Sequence, residues 1–364
     1  MHKTVIVAIV LMLVTACNTG ESRKKDTADQ SATQETVSML AGLKHAAGEG
    51  IMFGHQDDLS YGIGWVYPDG ESDVRRVSGD YPAVYGMDLG DIEHRSPVNL
   101  DSVPFDHMKT FVRQIWERGG VITFSWHVDN PLTGGNSWDI SSDKVVASVL
   151  PGGEKHDEFR AWLDNLAEFL GSLRDDQGVA IPVIFRPWHE HTGSWFWWGR
   201  KLCSNEEYIA LWKMTVHFMR ERSLDNLIMA FSPNYGGLTR NMYMERYPGD
   251  DYIDLLGLDA YGDGQEFMDI LRNELNMVAQ LGKEHNKPIA LTECGMGGLG
   301  NSKWFTQILL KAVEGLPVTY ALVWRNAPGY LMPMHIFAPY PGHPSAADFI
   351  DFFHNPRTLF LNEI

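Results

Sequence analysis

Two glutamates stand at the ends of apolar segments, where an isolated charge would be costly without a purpose. Glu190 lies in the run RPWHEHTGSWFWW at residues 186–198, after the apolar residues 182–185, and Glu293 follows the apolar residues 288–292. Bulky aromatics beside Glu190 would exclude water from its carboxyl group, and loss of water raises the pKa of a carboxylic acid. An acid that keeps its proton near neutral pH is suited to general acid catalysis.

This pair of glutamates is typical of one kind of chemistry. A retaining glycosidase needs two carboxyl groups roughly 5–5.5 Å apart, one as acid/base and the other as nucleophile. We therefore predict that Glu190 and Glu293 form such a pair, in which Glu190 is suited to be the acid. The alternative is that one glutamate is a structural ion-pair partner, for which Arg186 is the candidate cation.

Short apolar segments recur along the chain, with helical patterns between most of them. The apolar segments are Ile51–Gln56, Ala83–Leu89, Val121–Trp126, Pro182–Trp188, Leu227–Ser232, Leu255–Ala260, Pro288–Thr292 and Tyr320–Trp324. The helical patterns are Phe105–Arg118, Asp157–Arg174, Glu206–Glu221, Glu266–His285 and Trp304–Val313. Near-continuous apolar strands that alternate with helices indicate a parallel sheet built from βαβ units.

The number of these units predicts the fold and the place of the site. Eight units within residues 36–364 fit a single-domain (β/α)8 TIM barrel of the α/β class better than an open sheet. The active site of such a barrel lies at the C-terminal ends of its strands. Glu190 and Glu293 would then face each other across the mouth of one barrel.

The first residues predict a targeting signal that takes no part in the fold. The apolar run Thr4–Val14 is too short to span a bilayer, and small residues precede Cys17. This pattern resembles a bacterial lipoprotein signal, in which residues 1–16 are removed and Cys17 is lipidated. An ordinary secretory signal cut nearby is the alternative. Residues 17–35 are rich in Ser, Thr, Asp, Lys and Gln and predict a flexible tether.

The composition narrows the list of partners. The formal charge of −17 repels phosphate backbones, so we expect no nucleic-acid partner. The 12 Trp, 13 Tyr and 17 Phe either fill the core or stack on sugar rings. We expect a monomer at the bacterial cell envelope whose only membrane attachment is the lipid anchor. The sequence leaves open whether it lies at the outer membrane, the cell surface or the periplasmic face.

The run at residues 185–199 resembles the acid/base signature of glycoside hydrolase family 26, the β-mannanase family. Shorter segments similar to that family follow in the expected order: FGHQ at 53–56, SWH at 125–127, DAY at 259–261, LTE at 291–293 and VWR at 323–325. The resemblance spans roughly residues 36–362. It implies a barrel enzyme that hydrolyses β-1,4-mannosidic linkages with retention and needs no metal or organic cofactor.

The resemblance also implies a role for four residues around the reacting sugar. Glu190 matches the acid/base of the family and Glu293 its nucleophile. His189 matches a residue near the 2-hydroxyl of the reacting sugar and near the nucleophile. Tyr261 matches a tyrosine that hydrogen-bonds the nucleophile, which is reasonable because a phenol can donate to a carboxylate.

Five further residues are candidate substrate contacts. Trp324 matches the platform under the sugar at the cleavage point, and Trp195 an aromatic on the leaving-group side; rim packing is the alternative for both. His127 and Arg325 match polar contacts to the sugars on the non-reducing side. The alternatives are a core histidine and a surface ion pair. His55 occupies a strand end and is a weaker candidate.

Other functions remain open at the level of sequence. The same fold and mechanism could act on a mixed-linkage β-glucan or a β-1,3-xylan, because selectivity depends on the axial 2-hydroxyl and on loop contacts. A non-catalytic glycan-binding lipoprotein is the alternative from another class. Neither the choice between internal and chain-end cleavage nor the preference among mannan, galactomannan and glucomannan follows from the residues.

Three other patterns suggest different kinds of site, and we give them less weight. The glycines at 295–300 match G-x-G-x-x-G, but they lie in the seventh unit, where a dinucleotide fold would not place them. His189 and His191 could form a metal pair, although a barrel metallohydrolase would need further ligands. The acidic stretch Asp88–His94 is interpreted as a solvated loop, with contact to substrate or a cation as the alternative.

Overall fold

Eight parallel strands close into a barrel in the computed structural model, which describes residues 25–327 and 335–364. We number them β1 (Ile51–Gln56), β2 (Val84–Asp88), β3 (Val121–Ser125), β4 (Val183–Arg186), β5 (Leu227–Phe231), β6 (Leu255–Tyr261), β7 (Ile289–Gly295) and β8 (Val318–Val323). Each strand pairs with the next along the chain, and β8 pairs with β1, where Met52 lies opposite Tyr320. The predicted (β/α)8 barrel is confirmed.

The strand ends differ from the prediction at the positions that carry the site. β7 continues to Gly295 and β6 to Tyr261, so Glu293 lies within a strand. β4 stops at Arg186, two residues before the predicted end. Pro187 has no N–H to donate to a ladder, and Trp188 has a φ of 53°, which a strand does not accommodate.

Helices pack around the barrel and across its N-terminal end. They are α1 (Gln34–Glu49), α2 (Asp73–Ser78), α3 (Phe105–Glu117), α4 (Val145–Val149), α5 (His156–Gly171), α6 (Asn205–Glu221), α7 (Arg240–Met244), α8 (Gly264–His285), α9 (Leu310–Val313) and α10 (Ala346–Phe353). The five predicted helices are present, although a π-helical turn at Phe305–Leu309 precedes α9. In the described part of the chain, no helix combines the length and the apolar character needed to cross a membrane.

The N-terminal end of the barrel is closed by α1. Leu40 and Leu43 of this helix pack in one buried cluster with Met52, Ile184 and Tyr320 from the barrel strands. This apolar layer fills the lower part of the barrel, as expected for a packed interior without a pore. The buried charged groups that could form a site are found at the opposite, C-terminal ends of the strands.

Residues 25–33, which we call the strap, lie against the N-terminal end of the barrel. The backbone N–H of Ala28 donates to the Asp254 carboxylate at 2.6 Å, and that of Thr33 donates to the Asp225 carbonyl at 2.9 Å. Thr33 also caps α1, which begins at Gln34. The predicted tether is therefore wrong for residues 25–35, because backbone hydrogen bonds hold a segment that has few apolar side chains.

The predicted signal and Cys17 lie outside the described residues. The described Cys203 and Cys294 are both buried and unpaired, as expected for Cys294 from its place in an apolar strand.

The strap generates a prediction for stability. Asp254 accepts from Ala28 and also from the N–H of Met229 at 2.8 Å, so Asp254→Ala leaves two donors without an acceptor. At about 1–3 kcal/mol for each unmet donor, we expect the free energy of unfolding to fall by about 2–4 kcal/mol. Urea unfolding followed by tryptophan fluorescence measures it.

The matched control is Asp26→Ala, which removes an exposed strap carboxylate 3.2 Å from Lys44. A surface ion pair of this kind contributes less than about 1 kcal/mol. Equal losses in the two variants would contradict the proposed importance of Asp254.

Candidate active site

Glu293 is held by two donors at the C-terminal end of the barrel. The hydroxyl of Tyr261 donates to one carboxylate oxygen and the guanidinium of Arg186 to the other. Arg186 also donates to Asp259 at 2.8 Å; Arg186, Asp259 and Glu293 are buried, and Tyr261 is half-buried. Glu293 is therefore fixed in position by a phenol and a cation, which suits a carboxylate that must attack in one direction.

Asp259 is the second carboxylate bound to Arg186. It also accepts from Ser232 at 2.9 Å and from Thr292 at 2.7 Å. Burial raises the pKa of Asp259 above its usual value, against the lowering effect of Arg186. Burial opposes the charge on Arg186, but Asp259 and Glu293 outweigh it and raise the pKa of Arg186. The sequence suggested that Arg186 pairs with one of the two glutamates. The structure contains this ion pair, and the glutamate is Glu293.

Glu190 has a different environment. In the described part of the chain, its carboxylate takes a hydrogen bond from the indole N–H of Trp195 at 2.6 Å, and no cation bonds to it. Burial and the charge of Glu293 raise the pKa of Glu190 to about 8, whereas Trp195 and Arg186 lower it. The charge of Glu293 acts on Glu190, which indicates that the two carboxyl groups lie in the same site.

Left-handed backbone at two residues directs Glu190 into the mouth of the barrel. Trp188 and Glu190 both have a φ of 53°, which costs a non-glycine residue about 1–2 kcal/mol. Buried donors hold this turn: Trp198 donates to the carbonyl of His189 at 2.8 Å, and Tyr208 donates to that of Trp188 at 2.8 Å. Such strain persists only where neighbouring groups over-determine it.

The aromatic run after Glu190 therefore divides into two parts. Trp197 and Trp198 are fully buried and use their indole N–H groups to hold backbone carbonyls, that of Trp197 reaching Val128 at 3.1 Å. Only Trp195, which is 41% exposed, touches the carboxyl group of Glu190. The high tryptophan content of the sequence therefore does not distinguish buried structural residues from residues of the binding surface, because tryptophan occurs in both.

A chain of polar contacts connects the second strand to the residue beside Glu190. Asp88 accepts from Nδ1 of His127 at 2.6 Å, and Nε2 of His127 lies 3.2 Å from Nε2 of His189. Burial disfavours the charged forms of both Asp88 and His127. His127 nevertheless lowers the pKa of Asp88 to about 2, and Asp88 raises the pKa of His127. Burial, Arg186 and His127 lower the pKa of His189, which is therefore neutral.

Comparison with known proteins identifies this arrangement. A family model described as glycosyl hydrolase family 26 matches residues 28–325, which is most of the 364-residue chain. The chain belongs to glycosyl hydrolase family 26.

Relatives of this family 26 chain are similar over most of its length. It is 30% identical to a mannan endo-1,4-beta-mannosidase of Bifidobacterium adolescentis over 359 residues, covering 92% of this chain and 35% of that protein. A mannan endo-1,4-beta-mannosidase of Bacillus subtilis is 30% identical over 313 residues, covering 82% of this chain and 80% of that protein. The chain thus spans about a third of the Bifidobacterium protein's length.

Solved structures of the family share the same barrel. A GH26 beta-mannanase from Bacteroides ovatus is 49% identical and aligns with a TM-score of 0.88, covering 90% of this chain and 95% of that chain. This likeness extends over the whole barrel and is not confined to the motifs.

The aromatic rim of this family 26 site has one member that the sequence did not single out. Trp138, in the loop after β3, is 46% exposed, and its ring stacks on that of His127 at 5.2 Å between centroids and 15° between planes. Trp324, the predicted platform, lies 6.1 Å from the same imidazole. No pattern in the glycine-rich loop around Trp138 distinguishes it from a surface tryptophan.

Arg325 is part of a buried polar cluster and is not an exposed ion pair. It contacts Asp101 at 2.7 Å and Tyr61 at 3.2 Å, and Tyr61 donates to Asp57 at 2.5 Å. Burial and the charge of Asp101 raise the pKa of Asp57, against Tyr61 and Arg325. Asp57 directly follows β1, so a search of strand ends for carboxylates would have found it.

Two histidines that the sequence suggested for the site point away from it. His55 shares the outward face of β1 with Phe53, whose ring packs on Phe349 at 5.1 Å, and its Nδ1 bonds to Asp58 at 2.7 Å. The structure thus does not bring His55 to the cleft, contrary to the prediction. His191 lies between Tyr208 and Phe231, so it does not form a metal pair with His189.

The acidic stretch after β2 is only partly a solvated loop. Besides Asp88, Glu93 is buried, accepting from Trp126 at 3.0 Å and from the N–H of Asp129 at 2.8 Å. The expectation of a solvated loop is therefore wrong for these two carboxylates. The ligand atoms of Asp91, His94 and Asp129 lie within 4.8 Å of one another, so these residues could hold a cation.

The glycine pattern at residues 295–300 has a packing explanation. Gly295 has a φ of 151°, and a Cβ there would lie 2.4 Å from the ring of Phe337, which in turn packs on Tyr261. Only glycine permits this close approach, and it supports the side chain that donates to Glu293.

The contact between Trp195 and Glu190 predicts a change in pH dependence. A general acid at Glu190 would work only while protonated, so kcat/KM on a glycoside substrate should fall as the pH rises through about 8. Trp195→Phe keeps an aromatic ring but removes a donor that favours the charged form. The basic limb should therefore move to higher pH, by up to about one unit for one hydrogen bond to a charged group.

The control for this pH profile is Trp138→Phe, which alters a rim tryptophan without a contact to Glu190. Its basic limb should stay where the parent has it. A shift of the Trp138→Phe limb equal to that of Trp195→Phe would exclude the indole of Trp195 as the cause.

The contact between Asp88 and His127 predicts a change in a histidine titration. Asp88→Asn keeps the shape but removes the charge that raises the pKa of His127, leaving burial to dominate. The pKa of His127 should fall, as measured by NMR titration of labelled histidine. Asp91→Asn, in the same loop but away from His127, should leave this value unchanged. An unchanged pKa in Asp88→Asn would contradict the pairing.

Proposed function

We propose that this family 26 hydrolase cleaves β-1,4-mannosidic linkages in mannan or manno-oligosaccharides with retention of configuration. The observation that carries the proposal is the difference in environment between two carboxyl groups in one cleft. Glu293 is bonded to a cation and a phenol, whereas burial and the charge of Glu293 make Glu190 hold its proton. Such a difference in environment supports Glu190 as the acid and Glu293 as the nucleophile.

The proposed reaction has two steps. In the first, a carboxylate oxygen of Glu293 attacks the anomeric carbon, and Glu190 gives its proton to the glycosidic oxygen as the bond to that oxygen breaks. In the second, Glu190 takes a proton from water, whose oxygen attacks the anomeric carbon and releases Glu293. Arg186 and Tyr261 keep Glu293 oriented in both steps, and neither residue needs to change its protonation.

His189 supports recognition of the reacting sugar. It directly precedes Glu190, it is neutral, and its buried Nδ1 has no partner among the described residues. An unmet buried polar atom costs free energy, so a sugar hydroxyl that meets it gains affinity. We propose that this hydroxyl belongs to the mannosyl unit being cleaved, between the platforms formed by Trp324 and Trp195.

Mannan is favoured over other β-linked polymers by the relatives. Both the Bifidobacterium and the Bacillus proteins carry the name mannan endo-1,4-beta-mannosidase. Reducing-sugar release from mannan, lichenan and xylan side by side tests this choice. A product time course on mannan then separates internal cleavage, which gives a ladder of lengths, from release of mannobiose at chain ends.

The proposal extends to where the enzyme acts. We propose that residues 1–16 are removed, that Cys17 is lipidated, and that the monomer is held at the bacterial cell envelope. Small residues before Cys17, after an apolar run too short to span a bilayer, support this. Stable attachment of a protein by lipid requires more than one acyl chain, which a diacylated or triacylated cysteine provides.

Variants of the two glutamates test the mechanism. Glu190→Ala should lower kcat/KM on mannan by about 10²–10⁴-fold, because the leaving group loses its acid. The same variant should still be glycosylated by a dinitrophenyl mannobioside, whose leaving group needs no proton, and azide should then give the β-glycosyl azide. Glu293→Ala should be inactive, and azide should restore turnover with the α-glycosyl azide as product.

The control is Glu117→Ala, an exposed glutamate on α3, which should keep the parent activity. Chromatography of the azide products separates the two anomers. Most of the parent activity on mannan in both Glu190→Ala and Glu293→Ala would overturn the assignment.

A further inference from the structure

The strap attaches the N-terminal part of the chain to the end of the barrel opposite the cleft. Its partners Asp225 and Asp254 lie just before β5 and β6, whereas Glu190 and Glu293 lie at the C-terminal ends of β4 and β7. Lys25, the first described residue, therefore lies on the side of the fold away from the active site.

Several independent contacts hold the strap in place. Ala28 and Ala32 are buried, and the ammonium of Lys25 donates to the carbonyl of Ala32 at 2.6 Å. Asp29 lies 3.9 Å from Arg220 on α6, in addition to the bond between Ala28 and Asp254. The first described residue, Lys25, is thus already part of the folded domain.

This placement shortens the available linker. Only eight backbone steps separate Cys17 from Lys25, against eighteen to the predicted end of the tether at Glu35. At about 3.5 Å for each extended residue, eight steps reach at most about 28 Å. A domain of this size cannot turn over freely on so short a linker.

We infer that the strap orients the barrel on a lipid bilayer, with the N-terminal end of the barrel facing the bilayer and the cleft opening away from it. The inference rests on the proposed lipid attachment at Cys17. Extended mannan chains would then reach the cleft without passing between the protein and the lipid.

The charges near the strap indicate that the attachment point, and not headgroup binding, sets this orientation. Lys25, Lys44 and Lys287 are balanced there by Asp26, Asp250 and Asp251. A surface that binds anionic lipids needs an excess of basic residues. The net charge of −17 would repel an anionic bilayer from the rest of the protein.

Energy transfer to the bilayer tests the orientation. The full lipidated chain is placed in vesicles of phosphatidylethanolamine and phosphatidylglycerol that carry a headgroup acceptor dye. A donor dye is attached through Gln177→Cys, exposed just before β4, or through Asp143→Cys, exposed in the loop after β3. The native Cys203 and Cys294 are buried and should not react. Transfer should be clearly greater from position 177 than from position 143.

The matched control replaces residues 25–32 by a glycine–serine segment of equal length, so that only the strap contacts change. Transfer from the two positions should then become similar. Equal transfer in the parent, greater transfer from position 143, or an unchanged difference after strap replacement would each overturn the inference.

Two readouts separate this inference from the proposed hydrolysis. Mass spectrometry should show acyl chains on the parent and none on Cys17→Ser, which should no longer bind vesicles. An unlipidated parent that hydrolyses mannan would overturn the orientation while the enzymatic proposal stands. A lipidated and oriented parent that leaves mannan intact would do the reverse.

Discussion

The arginine at the end of β4 is the interaction on which the site depends. Arg186 is buried, and transferring its charge from water costs several kcal/mol unless carboxylates and hydroxyls surround it. Asp259 and Glu293 supply the charges and Ser232 a further contact at 3.3 Å. Removing Arg186 would leave two buried carboxyl groups without their cation. Arg186 and Tyr261 thus fix Glu293 in space, whereas no cation bonds to Glu190 among the described residues, and burial raises its pKa.

The same difference is built into the backbone. Glu293 lies within β7, where strand geometry and the donors around it allow little movement, whereas Glu190 follows three residues of irregular chain after the end of β4. An acid/base residue must give up a proton in one step and accept one in the next, with its carboxyl group close to the leaving group and then to water. The left-handed φ of Glu190 directs its side chain into the cleft. The buried indole of Trp198 stabilises this conformation by its hydrogen bond to the carbonyl of His189.

The parts of the structure that follow from short-range pattern could be predicted from the sequence. Eight apolar segments and the polar residues after them locate the strands and the two glutamates. The direction in which a side chain points could not be predicted in the same way. His55 faces outward because alternation along β1 places it with Phe53, and Asp88 turns inward to meet His127 from the next strand. Residues 25–35 resemble a tether in composition, yet the backbone N–H groups of Ala28 and Thr33 hold the segment to the barrel, and composition does not record backbone hydrogen bonds.

The division of the barrel into an apolar lower layer and a polar upper layer connects these observations. Below, α1 and the strap close the barrel with apolar side chains and backbone hydrogen bonds, so the stability of that end does not depend on the site. Above, several buried charges are paired between the ends of different strands: Asp88 with His127, and Arg186 with Asp259 and Glu293. A change in one strand end therefore alters the electrostatics of its neighbours. Because Nε2 of His127 reaches His189, which directly precedes Glu190, the polar layer extends from the second strand to the proposed acid as one continuous network.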